Sequence, residues 1–234
     1  MERLPEPELM DDPLQAQAYA AADFSASDQA LVERIATRFG PVPGGDGLGL
    51  GERIVDLGCG PGNISFRLAE RFSSAAVLGL DGSAAMLGFA TDRLAAEPQR
   101  WPRLRFQQAL LPLGDPAAWP VPFSAVVSNS LLHHLHEPQV LWQAVGLLAA
   151  EGAAVHIHDL RRPSGEAALQ ALVARHAAGA PAVLRRDYAN SLHAAFSRQE
   201  VEDQLARAGL RGLSVRDRDD RYLEISGRLK RQGA

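Results

Sequence analysis

The sequence predicts an α/β fold built on a parallel sheet with helices on both faces. Three observations predict it. From Arg53 onward, short apolar runs alternate with helical patterns. The runs are nearly continuous in Val, Ile, Leu and Ala, as strands buried on both faces are. The first run enters a glycine-rich turn that opens a helix, which is how strand–helix units join.

The 234 residues suit one domain with a small appended lid, because a chain of this size buries one sizeable core. A formal charge of −4 weighs against a nucleic-acid binder but leaves room for a local basic patch. The single cysteine, Cys59, excludes an internal disulfide and a multi-cysteine zinc site. The N-terminal residues lack the apolar centre of a signal peptide, and no run approaches a membrane span. A cytoplasmic protein is expected.

Residues 1–13 are acidic and proline-rich and are expected to form a mobile arm. A helix follows, with Ser27 as its N-cap and Leu31, Ile35 and Phe39 on one face. Gly40-Pro41 and the glycines of 44–51 end it. Residues 54–57 read as a buried strand, and Ile64, Leu68 and Phe72 mark the inner face of the next helix. Residues 76–80 form a second strand, after which Ser83 caps a helix carrying Met86, Ala90 and Leu94. Residues 104–108, 125–128 and 153–158 are the third, fourth and fifth strands. A proline-rich loop fills 112–122, and a helix spans 140–150. Residues 164–196 form one or two helices inserted after strand five. Ser197-Arg198-Gln199-Glu200 has capping-box form, and Gly209 ends the helix it starts. Residues 213–215 and 222–225 read as a closing hairpin. The expected division is an arm with lid helices over 1–50 and a main domain over 51–234.

The first strand runs into Gly58-x-Gly60-x-Gly62. Glycines there permit a tight turn and let a ligand approach the backbone. The dinucleotide fingerprint G-x-G-x-x-G is not met, because Asn63 stands three residues after Gly60. Asp81 ends the second strand, 23 residues beyond Gly58. A carboxylate there accepts hydrogens from both hydroxyls of an adenosine ribose.

The chain resembles the class I S-adenosylmethionine-dependent methyltransferases. The residues that carry the resemblance are Val55-Asp56-Leu57-Gly58-Cys59-Gly60-Pro61-Gly62-Asn63, Gly79-Leu80-Asp81-Gly82-Ser83-Ala84-Ala85-Met86-Leu87 and Asn129-Ser130-Leu131-Leu132-His133-His134-Leu135, with the turn Glu151-Gly152 before strand five. The resemblance implies a Rossmann-like, doubly wound sheet of seven mostly parallel strands whose last strand is antiparallel. It implies S-adenosylmethionine as cofactor and S-adenosylhomocysteine as product. Gly58 and Gly60 then pack on the methionine portion, Asp81 holds the ribose and Met86 lies near the adenine. Asp56, Cys59 and Gly82 complete the loop and strand-end positions, and Asn129 and Ser130 line the pocket. Where such proteins often place an acid near the adenine amino group, this sequence has Gln107-Gln108-Ala109-Leu110. Gln108 and the backbone of Ala109 and Leu110 are expected there instead.

Methyl transfer is an in-line displacement at a sulfonium carbon, so alignment is the main requirement and a general base is optional. His133 and His134 are the candidates for such a base, with a pocket wall or helix start as the plainer reading. His156, His158 and Asp159 invite a metal reading, but burial explains the pair equally and no metal is expected. Acceptor-binding candidates are Tyr19 and Phe24 in a lid, Asp159 and Arg161 at the strand-five edge, and Tyr188, Asn190 and His193 in the insertion. Arg185 and Arg186 give that insertion a basic character suited to a polar or anionic small molecule. The leading expectation is a small-molecule methyltransferase. The alternatives are an RNA methyltransferase using Arg161, Arg162, Arg185 and Arg186, a non-catalytic cofactor-binding subunit, and an NAD-dependent enzyme.

Overall fold

The computed structural model describes residues 1–7, 9–119 and 121–230. Glu8 of the arm, Pro120 of the 112–122 loop and residues 231–234 lie outside the described residues.

The elements follow in the order α1 (Pro13–Ala21), α2 (Ser25–Phe39), β1 (Arg53–Leu57), α3 (Asn63–Arg71), β2 (Ala76–Asp81), α4 (Ala84–Ala96), β3 (Leu104–Gln108), β4 (Phe123–Asn129), α5 (Gln139–Leu148), β5 (Ala149–Leu160), α6 (Glu166–His176), α7 (Ala182–Ala194), α8 (Arg198–Ala208), β6 (Arg211–Asp217) and β7 (Tyr222–Lys230). They build a seven-stranded sheet in the order β3-β2-β1-β4-β5-β7-β6. β7 alone runs against the rest: it pairs antiparallel with both β5 and β6. This is the expected Rossmann-like, doubly wound sheet.

Alternation along the strands makes two cores. Val55, Val126 and Ile157 face α5 and α8 in one cluster. Ile54, Val77 and Val127 face α2 and α3 in the other. Each fully buried aliphatic side chain contributes about 1.5–3 kcal/mol, so both faces must stay covered. Trp142 of α5 lies 1 % exposed in the first core. Its indole N–H donates to Gln204 Oε1 of α8 at 2.9 Å, which satisfies the one polar atom of that side chain.

β1 pairs with β2 on one side and with β4 on the other. The chain therefore reverses its direction of growth between these two strands. A crevice opens at their carboxyl ends, the position where open α/β sheets bind ligands.

Several local expectations are met at the atomic level. Ser83 Oγ accepts from Met86 N at 3.1 Å, and Ser197 with Glu200 forms the capping box. The insertion is two helices, α6 and α7. Others need correction. Ser27 is not an N-cap: α2 starts at Ser25, and Ser27 Oγ donates back to Phe24 O at 2.8 Å. Glu151 and Gly152 lie inside β5, which begins at Ala149, with Gly152 at φ +74°. The arm is docked rather than free. Arg3 Nη2 donates to the carbonyls of His133 and Leu135 at 3.0 and 2.8 Å, and its guanidinium stacks over Phe196 at 4.0 Å. Further along, Ser83 Oγ donates to Met10 O at 3.0 Å, so the arm crosses from α7 to the end of β2. Among the described residues no helix is long and apolar enough to cross a membrane.

Candidate active site

A cavity of about 1110 Å³ occupies the crevice. Its floor is the glycine turn. Gly58, Gly60 and Gly62 all have positive φ, at +68°, +53° and +83°. Their surroundings differ. A Cβ on Gly58 would press on Leu131, and one on Gly62 would press on Phe66 and Phe106. A Cβ on Gly60 would meet nothing within 4 Å, because it would point into the cavity. Gly60 thus stands bare toward the cavity, whereas Gly62 is kept bare by packing.

Asp81 closes one side. Its Oδ2 accepts from Gly60 N at 2.7 Å and its Oδ1 accepts from Ser83 N at 2.8 Å. Each oxygen keeps a second lone pair. Burial raises the Asp81 carboxyl above its usual range, against the pull of those backbone hydrogen bonds. Met86, 4 % exposed, and the Ala109–Leu110 pair supply apolar wall beside it. Asp56 lies deeper. It is 1 % exposed, Ser65 Oγ donates to it at 2.6 Å, and burial pushes its carboxyl up to about 7. Cys59 is buried, and burial raises its thiol well above normal. Asn129 and Ser130 line the cavity opposite, and Asn129 Oδ1 lies 2.9 Å from His158 Nδ1. Gln108 does not reach it. Its amide turns outward and donates to Gly82 O at 3.0 Å, leaving the backbone of Ala109 and Leu110 as the wall.

The far end of the cavity is aromatic and basic. Tyr19 and Phe24 pack ring to ring at 5.0 Å, and these two candidates line the cavity together with Tyr188 of α7. The remaining acceptor candidates lie elsewhere. Asp159 is 1 % exposed and spent on local structure, accepting from Leu132 N at 2.7 Å and contacting His133 Nδ1 at 2.6 Å. Arg161 is tied to the carbonyls of Asp219 and Asp220, both at 3.2 Å. His193 Nε2 faces Glu166 at 3.5 Å, outside the cavity. Asn190 and Arg186 border a smaller cavity of about 230 Å³. Arg185 is exposed, and Arg162 is paired with Glu200 at 2.7 Å.

The cavity cations are Arg34 and Arg221, which the sequence did not single out. Arg34 makes no hydrogen bond or ion pair among the described residues, and its buried Nε has no partner. Burial and neighbouring Arg218 lower its pKa. Arg221 stacks over Tyr222 at 4.7 Å. Asp28 of α2 was also missed. It is 8 % exposed at the glycine-turn end, and burial pushes it up to about 6 against the opposing charge of Arg67. The α2 periodicity signals Leu31, Ile35 and Phe39 as core, but not that residues 28 and 34 of the same helix look into the crevice.

His133 and His134 sit in a short 3₁₀ turn, Leu132–His134, directly after β4. Both border the cavity. Burial lowers His133, but the charge and hydrogen bond of Asp159 outweigh it and leave a raised pKa. Burial pushes His134 down to about 3. His156 packs edge-on against Phe39 at 6.4 Å, with both ring nitrogens unpartnered, and His158 stacks on Tyr222 at 4.2 Å. Asp159 turns to the opposite side of β5, so these three residues do not converge.

Residues 55–155 match the family model of a methyltransferase domain. Trans-aconitate 2-methyltransferase of Deinococcus radiodurans is 39 % identical over 117 residues, covering 47 % of this chain and 41 % of that protein. The chain thus spans less than half the length of that relative. A putative S-adenosyl-L-methionine-dependent methyltransferase from Methanococcus maripaludis superposes with a TM-score of 0.67 at 18 % identity, covering 99 % of this chain and 98 % of that one. Phosphoethanolamine N-methyltransferase 2 of Haemonchus contortus, solved with S-adenosyl-L-methionine, gives 0.64 at 15 % identity over 94 % of this chain and 58 % of that one. Residues 55–155 thus match a methyltransferase domain, and the sheet has the fold of the S-adenosylmethionine-dependent methyltransferases it superposes on.

Proposed function

We propose that the chain binds S-adenosylmethionine in the crevice and transfers its methyl group to a small acceptor bearing a carboxylate. One observation carries the reading: a single cavity runs from Asp81 and bare Gly60 to the unpartnered Arg34.

The residues present fit the cofactor. Asp81 has two free lone pairs for the vicinal ribose hydroxyls. Met86, Ala109 and Leu110 offer apolar surface for the adenine. Gly60 clears room for the methionine portion, and Asp28 places a carboxylate where an ammonium would be welcome. When bound, the cofactor supplies a methyl group on a sulfonium, whose charge already activates the leaving group.

The chain's own work is then to align and desolvate the acceptor. Arg34 and Arg221 hold its negative charge, while Tyr19, Phe24 and Tyr188 close over it and exclude water. A carboxylate oxygen is ionised at neutral pH and attacks without losing a proton. No general base is required, and His133 is committed to Asp159. The relative named trans-aconitate 2-methyltransferase supports a carboxylate acceptor. The test is transfer of labelled methyl from S-adenosylmethionine to di- and tricarboxylates, with the matching amides as controls. Transfer to the acids alone is expected. Transfer to the amides, or to neither, overturns the acceptor class.

A further inference from the structure

Glu6, His133 and His134 each bring one ligand-type atom within 4.8 Å of the others. Glu6 Oε1 stands 3.1 Å from His134 Nδ1 and 3.6 Å from His133 Nε2. Despite that short separation, His134 Nδ1 is buried and makes no hydrogen bond among the described residues. The backbone of Pro7, which offers only a carbonyl, takes the hydrogen bond of the His134 ring. With its hydrogen on Nε2, toward Pro7, the ring presents the Nδ1 lone pair to a carboxylate. Asp159 does the same for His133. It holds the hydrogen of the neutral ring on Nδ1 at 2.6 Å and leaves the Nε2 lone pair toward Glu6. With both rings neutral, the three ligand atoms converge as lone-pair donors, an arrangement that a cation resolves.

The spacing is that of a coordination sphere. Metal–ligand bonds of about 2.0–2.2 Å to nitrogen and oxygen set the edge of a tetrahedron at roughly 3.3–3.6 Å. The two Glu6 separations lie at or just below that edge, and the two ring nitrogens lie within 4.8 Å of each other. A carboxylate behind a ligating histidine, fixing its tautomer, is the usual outer partner of such sites. Carboxylates Glu6, Asp159 and Asp187 act on the cluster together with the guanidinium of Arg3, and Arg186, paired with Asp187 at 3.2 Å, borders the small cavity beside it. Ser191 Oγ donates to Glu6 Oε1 at 2.9 Å and steadies that ligand.

We propose that Glu6, His133 and His134 form a site for one divalent transition metal of the zinc class, oriented by Asp159, that fastens the N-terminal arm across the cofactor cavity. Leu9 and Met10, just beyond Glu6, wall that cavity. Metal occupancy therefore holds the cofactor in as well as the arm down.

The experiment is titration of the chelator-stripped full chain with Zn²⁺ and with Co²⁺, the latter followed by its visible d–d bands. One equivalent is expected to bind. Glu6→Gln and His134→Ala should each weaken binding at least tenfold, and Asp159→Asn about 10- to 100-fold. His176→Gln, a histidine far from the cluster, should leave it unchanged. Glu6→Gln lies in the arm and leaves the core intact, so it decides the matter even where His134→Ala disturbs folding. Absence of stoichiometric metal, or equal binding by wild type and Glu6→Gln, overturns the proposal. S-adenosylhomocysteine binding is read separately on the metal-loaded protein. Its absence there would count against the cofactor reading and not against the metal.

Discussion

Replacing Asp81 by asparagine perturbs the crevice at one charge with almost no change of shape. Each carboxylate oxygen accepts one backbone N–H, from Gly60 at 2.7 Å and from Ser83 at 2.8 Å, and offers its second lone pair to the cavity. A hydrogen bond to a charged acceptor is worth about 1.5–3 kcal/mol, against about 1 kcal/mol for a neutral one. The amide keeps one weakened acceptor and turns an NH₂ toward the other partner, which also donates. The expected loss is about 2 kcal/mol or more of S-adenosylhomocysteine affinity, roughly 30-fold. Stability should move less, because the amide also relieves the burial that raises the Asp81 carboxyl. Calorimetric titration of both proteins gives the affinity, and a thermal melt without ligand gives the stability. An affinity within about threefold of wild type, under 1 kcal/mol, would refute the assignment of Asp81 to the ribose.

Gly60→Ala should fold with a loss of about 1–2 kcal/mol from its φ of +53°, and should lose cofactor binding because the new methyl enters the cavity. Melting temperature and calorimetry on one sample separate the two effects. Asp56, raised to about 7 in the folded state, contributes stability that is fully present below pH ~4 and lost as pH rises to about 7. Asp56→Asn should flatten that slope and raise stability at pH 8 by up to about 4 kcal/mol, read by denaturant unfolding at pH 5 and 8. If Asp28 meets the cofactor ammonium, affinity rises with pH through about 6, and Asp28→Asn removes that part of the pH dependence. Arg34→Ala should raise the KM for a carboxylate acceptor about tenfold or more while leaving cofactor affinity unchanged.

Most of the sheet is legible in the sequence because its signals are local. Residues 54–57 carry apolar side chains on both faces, with Asp56 among them, and both faces are covered. The turn at Gly58-x-Gly60-x-Gly62 needs positive φ, which glycine supplies. Asp81 was readable for the same reason, standing at a strand end at a fixed distance from the turn. The acceptor end was not readable, because long-range pairing assembles it. The β6–β7 hairpin brings Tyr222 opposite Leu160 of β5, and Arg221 comes with it. Arg34 enters from α2, nearly two hundred residues away in sequence. Within the insertion the sequence offers Tyr188 beside the basic run Arg185–Arg186, and it is Tyr188 that lines the cavity while Arg186 stays 69 % exposed. The docking of the arm escaped for a related reason. Its acidic, proline-rich composition suggests solvent, yet its binding depends on individual groups such as Arg3 finding free carbonyls after β4.

A crystal structure of the chain with S-adenosylhomocysteine tests the central claim most directly. Both ribose hydroxyls are expected within hydrogen-bond distance of Asp81, the adenine against Met86 with Ala109 and Leu110, and the sulfur facing the space between Asn129 and Arg34. A ribose held away from Asp81, or a ligand bound outside the crevice, would contradict it.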